Sequence, residues 1–326
     1  MAGASGGTLL KVCRRFYLCV SRAGYHPVEF LVSELSVARS LLESKTSDKG
    51  TLPIGVGYIA WVLEKYPSKD SEALISAALD ANVQALWFAF GDDMGRWIRY
   101  VRENAPKGKA PLIFVQVNSV DEAVNAVEQL KADVIVAQGI ESGGHGGNYA
   151  PPLSDLLQTI LARFSGSPQA PVVLAAGGLA NGIDVASHIA RGASGAVMGT
   201  RFLLTPESKY TNAQREALLA AGSEDTIRSM AFDYARDALG WPEGVDGRGL
   251  RNDTVADFEQ GVDLELIRAK YKEAMQNQDR KRLLVWAGTG VGSMNRIMPA
   301  RDVMEDLQRE LEYQSKHDVN PSARLQ

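Results

Sequence analysis

Three glycine-rich stretches have residue types and spacing suited to chemistry. The first, QGIESGGHGG (Gln138 to Gly147), follows an apolar, β-branched run, and its glycine pair lets the main chain approach a flat ligand closely. Within it His145, one of four histidines in the chain, offers an imidazole able to exchange a proton near neutral pH. The second, AAGGLAN (Ala175 to Asn181), also closes an apolar run and precedes a helical pattern. Its adjacent Gly177 and Gly178 expose backbone N–H groups of the kind that hold a phosphate. The third is Gly199 and Thr200 in MGTRFLLT, at the end of the next apolar run. Each cluster alone reads equally well as a turn or a Gly-rich surface loop. One strand–helix unit apart, the second and third match the phosphate site that parallel barrels build after their last two strands.

The elements that must position these loops alternate from Leu52 onward. Strands are expected at Leu52 to Ile59, Ala85 to Phe90, Leu112 to Val117, Asp133 to Gln138, Pro171 to Ala176 and Gly195 to Met198. Between them, SEALISAALDAN, SVDEAVNAVEQLKA and NGIDVASHIARGA repeat apolar residues at three and four positions and begin at Ser or Asn, as amphipathic helices do. A closed barrel has eight strand–helix units and a doubly wound sheet typically five or six, so the six seen here do not choose between them by periodicity alone. After Thr205 the alternation stops. Residues 1–205, continued by 283–300, are expected to form the parallel domain, 206–282 an appended helical region, and 301–326 a charged helix and mobile tail.

Composition removes several function classes. With 326 residues, 45% of them hydrophobic, the chain buries a large core. A net charge of −4 without a basic run offers no footprint for nucleic acid or an anionic membrane, which favours a small-molecule partner. Cys13 and Cys19, the only two cysteines, are spaced for neither a disulfide framework nor a zinc site, and no metal is expected. No run reaches the roughly 20 apolar residues of a membrane span, and the N-terminus has the wrong order for a secretory signal, so a cytoplasmic protein is expected. GxSxG, HExxH and Walker motifs are absent, and His26, His188 and His317 have no recognisable partners.

VAQGIESGGHGG, PVVLAAGGLANG and GAVMGTRFLLTPES together resemble the nitronate monooxygenases, also called 2-nitropropane dioxygenases. The likeness runs from Leu52 to Gly292 and includes LPIGVGYIAW, IFVQVNSVDEA and VWAGTGVG. It implies an FMN-binding α/β fold of the TIM (β/α)8 type that oxidises nitronates, such as propionate 3-nitronate, and sometimes nitroalkanes, with molecular oxygen. His145 then matches the active-site histidine, and Gly144 a glycine beside the flavin ring. Gly177, Gly178, Gly199 and Thr200 match the phosphate-binding positions, and Gln116 a polar residue near the ring. Ser142 stands where the motif usually has alanine. MAGASGG resembles the flavin-contacting segment after the first barrel strand, which brings Met1 and Ala2 to the cofactor.

The stretch before Leu52 departs from that pattern. LKVCRRFYLCV does not match the family's alanine-rich helix, and no apolar, Gly-rich strand precedes YHPVEFLVSELSVARSLL. The six units therefore correspond to strands three to eight, and the barrel is expected to be incomplete at the N-terminus, with strands one and two missing or altered. A shortened gene product or a decayed paralogue would have that form, and its missing strands would leave open edges unless residues 11–31 supply a substitute helix or strand. Two other functions stay open: an NAD(P)H-dependent flavin enoyl reductase, which shares the Gly-Gly-His loop, and a catalytically inactive binding protein.

Overall fold

Alternation along each strand divides the molecule into two cores. On β3 (Val83–Ala89), Leu86 and Phe88 join a large apolar cluster, while Ala85, Trp87 and Ala89 belong to a smaller one on the opposite face. The same division continues through β4 (Leu112–Val117), β5 (Val134–Gln138), β7 (Val172–Ala176) and β8 (Gly195–Val197). Strands covered on both faces read as near-continuous apolar runs, which is why most of them are visible in the sequence.

The computed structural model describes residues 20–23, 27–43, 50–168 and 170–317. A seven-stranded parallel sheet runs in the order β1-β2-β3-β4-β5-β7-β8, with β1 (Val20–Ala23) and β2 (Leu52–Ile59) at its start. Its outer face is covered by α1 (Val28–Glu43), α3 (Ser68–Asp80), α4 (Met94–Asn104), α5 (Val120–Glu128), α6 (Leu153–Arg163) and α7 (Gly182–Ala190), with the short α2 (Ala60–Lys65) after β2. Asp93, Ser119 and Asn181 cap α4, α5 and α7 by accepting a backbone N–H from the first turn. On α4, Ile98 and Val101 are buried against this core, each contributing about 1.5–3 kcal/mol by leaving water.

The stretch in which strands one and two are unrecognisable supplies β1, paired with β2 from Val20↔Gly55 to Ala23↔Tyr58. Its four residues, VSRA, are too few and too polar to stand out. The curled sheet has β1 and β8 as its end strands among the described residues, an α/β half-barrel.

Past β8 the chain forms α8 (Thr200–Leu203), α9 (Asn212–Ala220), α10 (Ala231–Ala235), α11 (Asp253–Glu259), α12 (Leu264–Asn277) and α13 (Ala300–His317). The segment 206–282, expected to be helical, also contains two strands: β9 (Thr226–Ser229) and β10 (Val245–Leu250). They complete a three-stranded antiparallel sheet with β6 (Gly144–Gly147), which turns the expected Gly-rich loop into a buried strand. VDGRGL has no apolar alternation to announce a strand; its partner is the equally unpatterned GHGG. α13 packs on α7 and places Val303 and Leu307 in the large core. The tail from 318 onward lies outside the described residues.

Candidate active site

β6 carries His145 into the interior, where the residue is 4% exposed. Its Nε2 lies 2.9 and 3.0 Å from the two carboxylate oxygens of Asp233 on α10, a side chain with no exposure. Arg236, one turn further on, donates to the same carboxylate at 2.9 Å. With Asp233 held by Arg236, the histidine need not be charged to balance it. Burial disfavours the imidazolium and lowers the His145 pKa from 6.5 to about 4, against the opposing pull of Asp233. The ring is therefore neutral at neutral pH. Donation from Nε2–H to Asp233 leaves Nδ1 as the basic nitrogen.

Two indoles enclose the imidazole. Trp241 stacks on it with centroids 3.5 Å apart and planes 10° apart, and Trp286 meets it edge-on at 4.9 Å. Gly247 opposes His145 across the β6–β10 ladder, and a Cβ there would come within 2.4 Å of the Trp286 ring. Only glycine lets the indole approach.

The histidine strand is fixed from below by amides. Gln116 and Gln138 sit near the carboxyl ends of β4 and β5, and Gln116 Nε2 donates to Gln138 Oε1 at 2.8 Å. Gln138 Nε2 donates in turn to the His145 carbonyl at 3.2 Å, while Asn118 donates to the Gln138 carbonyl at 2.8 Å. From the other side Arg228 donates to the Gly146 carbonyl at 2.6 Å and pairs with Asp246.

The two glycine loops leave the same edge of the sheet. Ala176 pairs with Val197, so Gly177 and Gly178 after β7 and Gly199 and Thr200 after β8 start side by side at the carboxyl ends. Gly177 and Gly178 have φ of +117° and +72°, conformations that L side chains rarely adopt. A Cβ at Gly199 would meet nothing within 4 Å. Thr200 Oγ1 accepts the Gly288 N–H at 3.0 Å. The stretch Trp286 to Gly288 thus joins the histidine to the glycine loops.

Of the residues expected at the site, His145, Gly144, Gln116, Gly177, Gly178, Gly199 and Thr200 all lie at or near this carboxyl edge. Met1 and Ala2 lie outside the described residues, as do Cys13, Cys19 and His26. His188 is a helix residue on α7, with Nδ1 2.8 Å from the Asp184 carbonyl. Asp233, Arg236, Gln138, Trp241 and Trp286 are site residues that sequence reasoning misses. The one local signal is the Asp233/Arg236 spacing of three on a helix with apolar flanks, which equally describes an exposed ion pair.

The nitronate monooxygenase family model matches residues 70–310. A nitronate monooxygenase of Neurospora crassa is 31% identical over 307 residues, 89% of this chain and 79% of its own length. Among solved structures, a mutant FabK from Thermotoga maritima aligns with a TM-score of 0.68 at 25% identity, covering 93% of this chain and 87% of that one. The nitroalkane oxidase of Streptomyces ansochromogenes aligns with a TM-score of 0.71 at 24% identity, covering 92% and 90%, which shows a shared fold.

Proposed function

The chain belongs to the nitronate monooxygenase family and is an oxidoreductase; from that premise we propose that it oxidises nitronates, propionate 3-nitronate among them, and neutral nitroalkanes with molecular oxygen, using FMN. One observation carries the reading: a buried neutral histidine, locked onto a fully buried carboxylate, shares the carboxyl edge of the sheet with two glycine loops.

The residues present fit a flavin mononucleotide. Gly199 leaves open space where a side chain would stand, and the buried Ser142 hydroxyl has no partner among the described residues. Gly177, Gly178, Gly199 and Thr200 would hold the phosphate through main-chain N–H groups. Gln116 and Gly144 would stand at the ring. When bound, FMN supplies the electron transfer and oxygen chemistry that side chains lack.

The protein's own part is acid–base and positional. With Nε2 held by Asp233, Nδ1 of His145 takes the α-proton of a neutral nitroalkane, and the electron pair left behind makes the nitronate. Asp233 stabilises the imidazolium so formed. An anionic nitronate arrives already deprotonated, so there His145 only positions it. Trp241 and Trp286 keep water from the ring and strengthen each polar contact inside.

The test is the absorption spectrum of the purified protein followed by oxygen uptake with propionate 3-nitronate. Flavin bands and substrate-dependent uptake are expected; colourless protein that takes up no FMN ends the proposal. A second reading, reduction of an enoyl thioester by NAD(P)H, is compatible with the fold, which the enoyl reductase domain of MlnA from Bacillus amyloliquefaciens shares. It predicts anaerobic flavin reduction by NADH or NADPH and reoxidation by the thioester.

A further inference from the structure

Away from His145, a cavity of about 610 Å³ lies between the start of α7, α8 and α13. Arg201 lines it and is 8% exposed. Its Nη1 donates to the Arg296 carbonyl at 3.1 Å, and among the described residues it makes no ion pair. The two carboxylates on the same wall are engaged elsewhere. Asp306 pairs with Arg296 at 2.5 Å and Arg309 at 3.0 Å, and Glu310 accepts the Gly182 N–H at 2.7 Å. Burial lowers the Arg201 pKa without removing its charge, since a guanidinium stays protonated in proteins. Asp306 and Glu310 support that charge from the cavity wall without an ion-pair contact, so the guanidinium keeps N–H donors free to meet an anion that enters the volume.

We propose that this cavity binds a small aliphatic monocarboxylate, its carboxylate forked onto the Arg201 guanidinium and its chain laid against Met294, Met298 and Leu307. Arg is the side chain suited to two parallel hydrogen bonds with a carboxylate. Met294, Met298 and Leu307 supply the apolar part of a wall that also carries Asn181, Ser293 and Asn295. Asp306 and Glu310 face the same volume and select against a second negative charge, which favours a monoanion over a phosphate dianion.

Calorimetric titration of the purified protein with sodium butyrate, n-butanol and inorganic phosphate tests this by binding alone, independently of turnover. Saturable butyrate binding is expected, with n-butanol and phosphate at least about tenfold weaker. Arg201→Gln should weaken butyrate at least about tenfold. Ile183→Trp, at a rim position 52% exposed, should block the cavity while leaving the guanidinium in place. This second variant decides the matter if the first fails to fold, and it separates the cavity from the reaction site, where butyrate binding would survive it. Absence of butyrate binding, tighter binding of phosphate, or unchanged butyrate affinity in Ile183→Trp overturns the proposal.

Discussion

The two ends of the site are built from different materials. At the histidine end side chains surround the imidazole: Asp233, itself held by Arg236, together with Trp241 and the sequence-distant Trp286. At the glycine end the construction is main chain, and what matters is the absence of side chains at Gly177, Gly178 and Gly199. Side chains set a protonation state, since burial and a paired carboxylate decide where His145 titrates. Bare backbone sets shape and offers N–H dipoles. Substitutions should therefore fail differently at the two ends, in chemistry at one and in cofactor retention at the other.

The sharpest separation is His145→Ala. Turnover of neutral nitroalkanes should fall by about 10²–10⁴-fold in kcat/KM, the usual worth of a general base, while propionate 3-nitronate oxidation falls far less. Equal losses on the two substrates would remove the histidine from proton abstraction. At the other end, Gly178→Val places a β-branched residue at φ +72°, with its Cβ 2.9 Å from that of Glu141. Strain of about 3 kcal/mol corresponds to roughly 100-fold weaker FMN, measured by fluorescence titration, with the histidine's chemistry intact in whatever fraction loads.

Asp233→Asn should lower kcat on neutral nitroalkanes by roughly 10–100-fold, as loss of an orienting partner does, with little change in FMN affinity. The pH profile carries the sign. A base with its pKa near 4 stays deprotonated above that value, so kcat/KM for neutral nitroalkanes should be flat from pH 7 to 5, where an ordinary imidazole would already be declining from about 6.5. Asp233 pulls the His145 pKa upward, so its removal moves the acid limb to lower pH. A decline centred near 6.5 in the parent protein would break the account of a buried, neutral ring. The smallest effect is expected at Thr200→Val, which leaves the buried Gly288 N–H unpaired at a cost of about 1–3 kcal/mol in urea unfolding, recovered by Thr200→Ser.

The same contrast explains what the sequence discloses. β2 and β4 can be bounded to the residue because a strand buried on both faces has to be apolar along its length. The glycine pairs are legible because they sit directly after such strands. β1 and β10 are not, since VSRA and VDGRGL owe their conformation to the strands beside them. His145 is recognisable, yet its partner Asp233 lies 88 residues away in a segment that reads as an ordinary charged helix. Only the pairing of β6 with β10 brings α10 to the histidine. Trp241 shares this difficulty: nothing local tells an indole that covers a buried histidine from one that fills a core.

The clasp from Trp286 to Gly288 also fixes when the pocket can exist. The seven parallel strands of the described residues have all been synthesised by Val197, and the half-barrel can begin to fold before the remaining two-fifths of the chain is complete. Until the clasp emerges much later, the imidazole lacks its edge-on indole and Thr200 lacks its partner amide. A nascent chain thus holds a scaffold long before it holds a pocket, and a protease nick just ahead of the clasp would spare the first while dismantling the second.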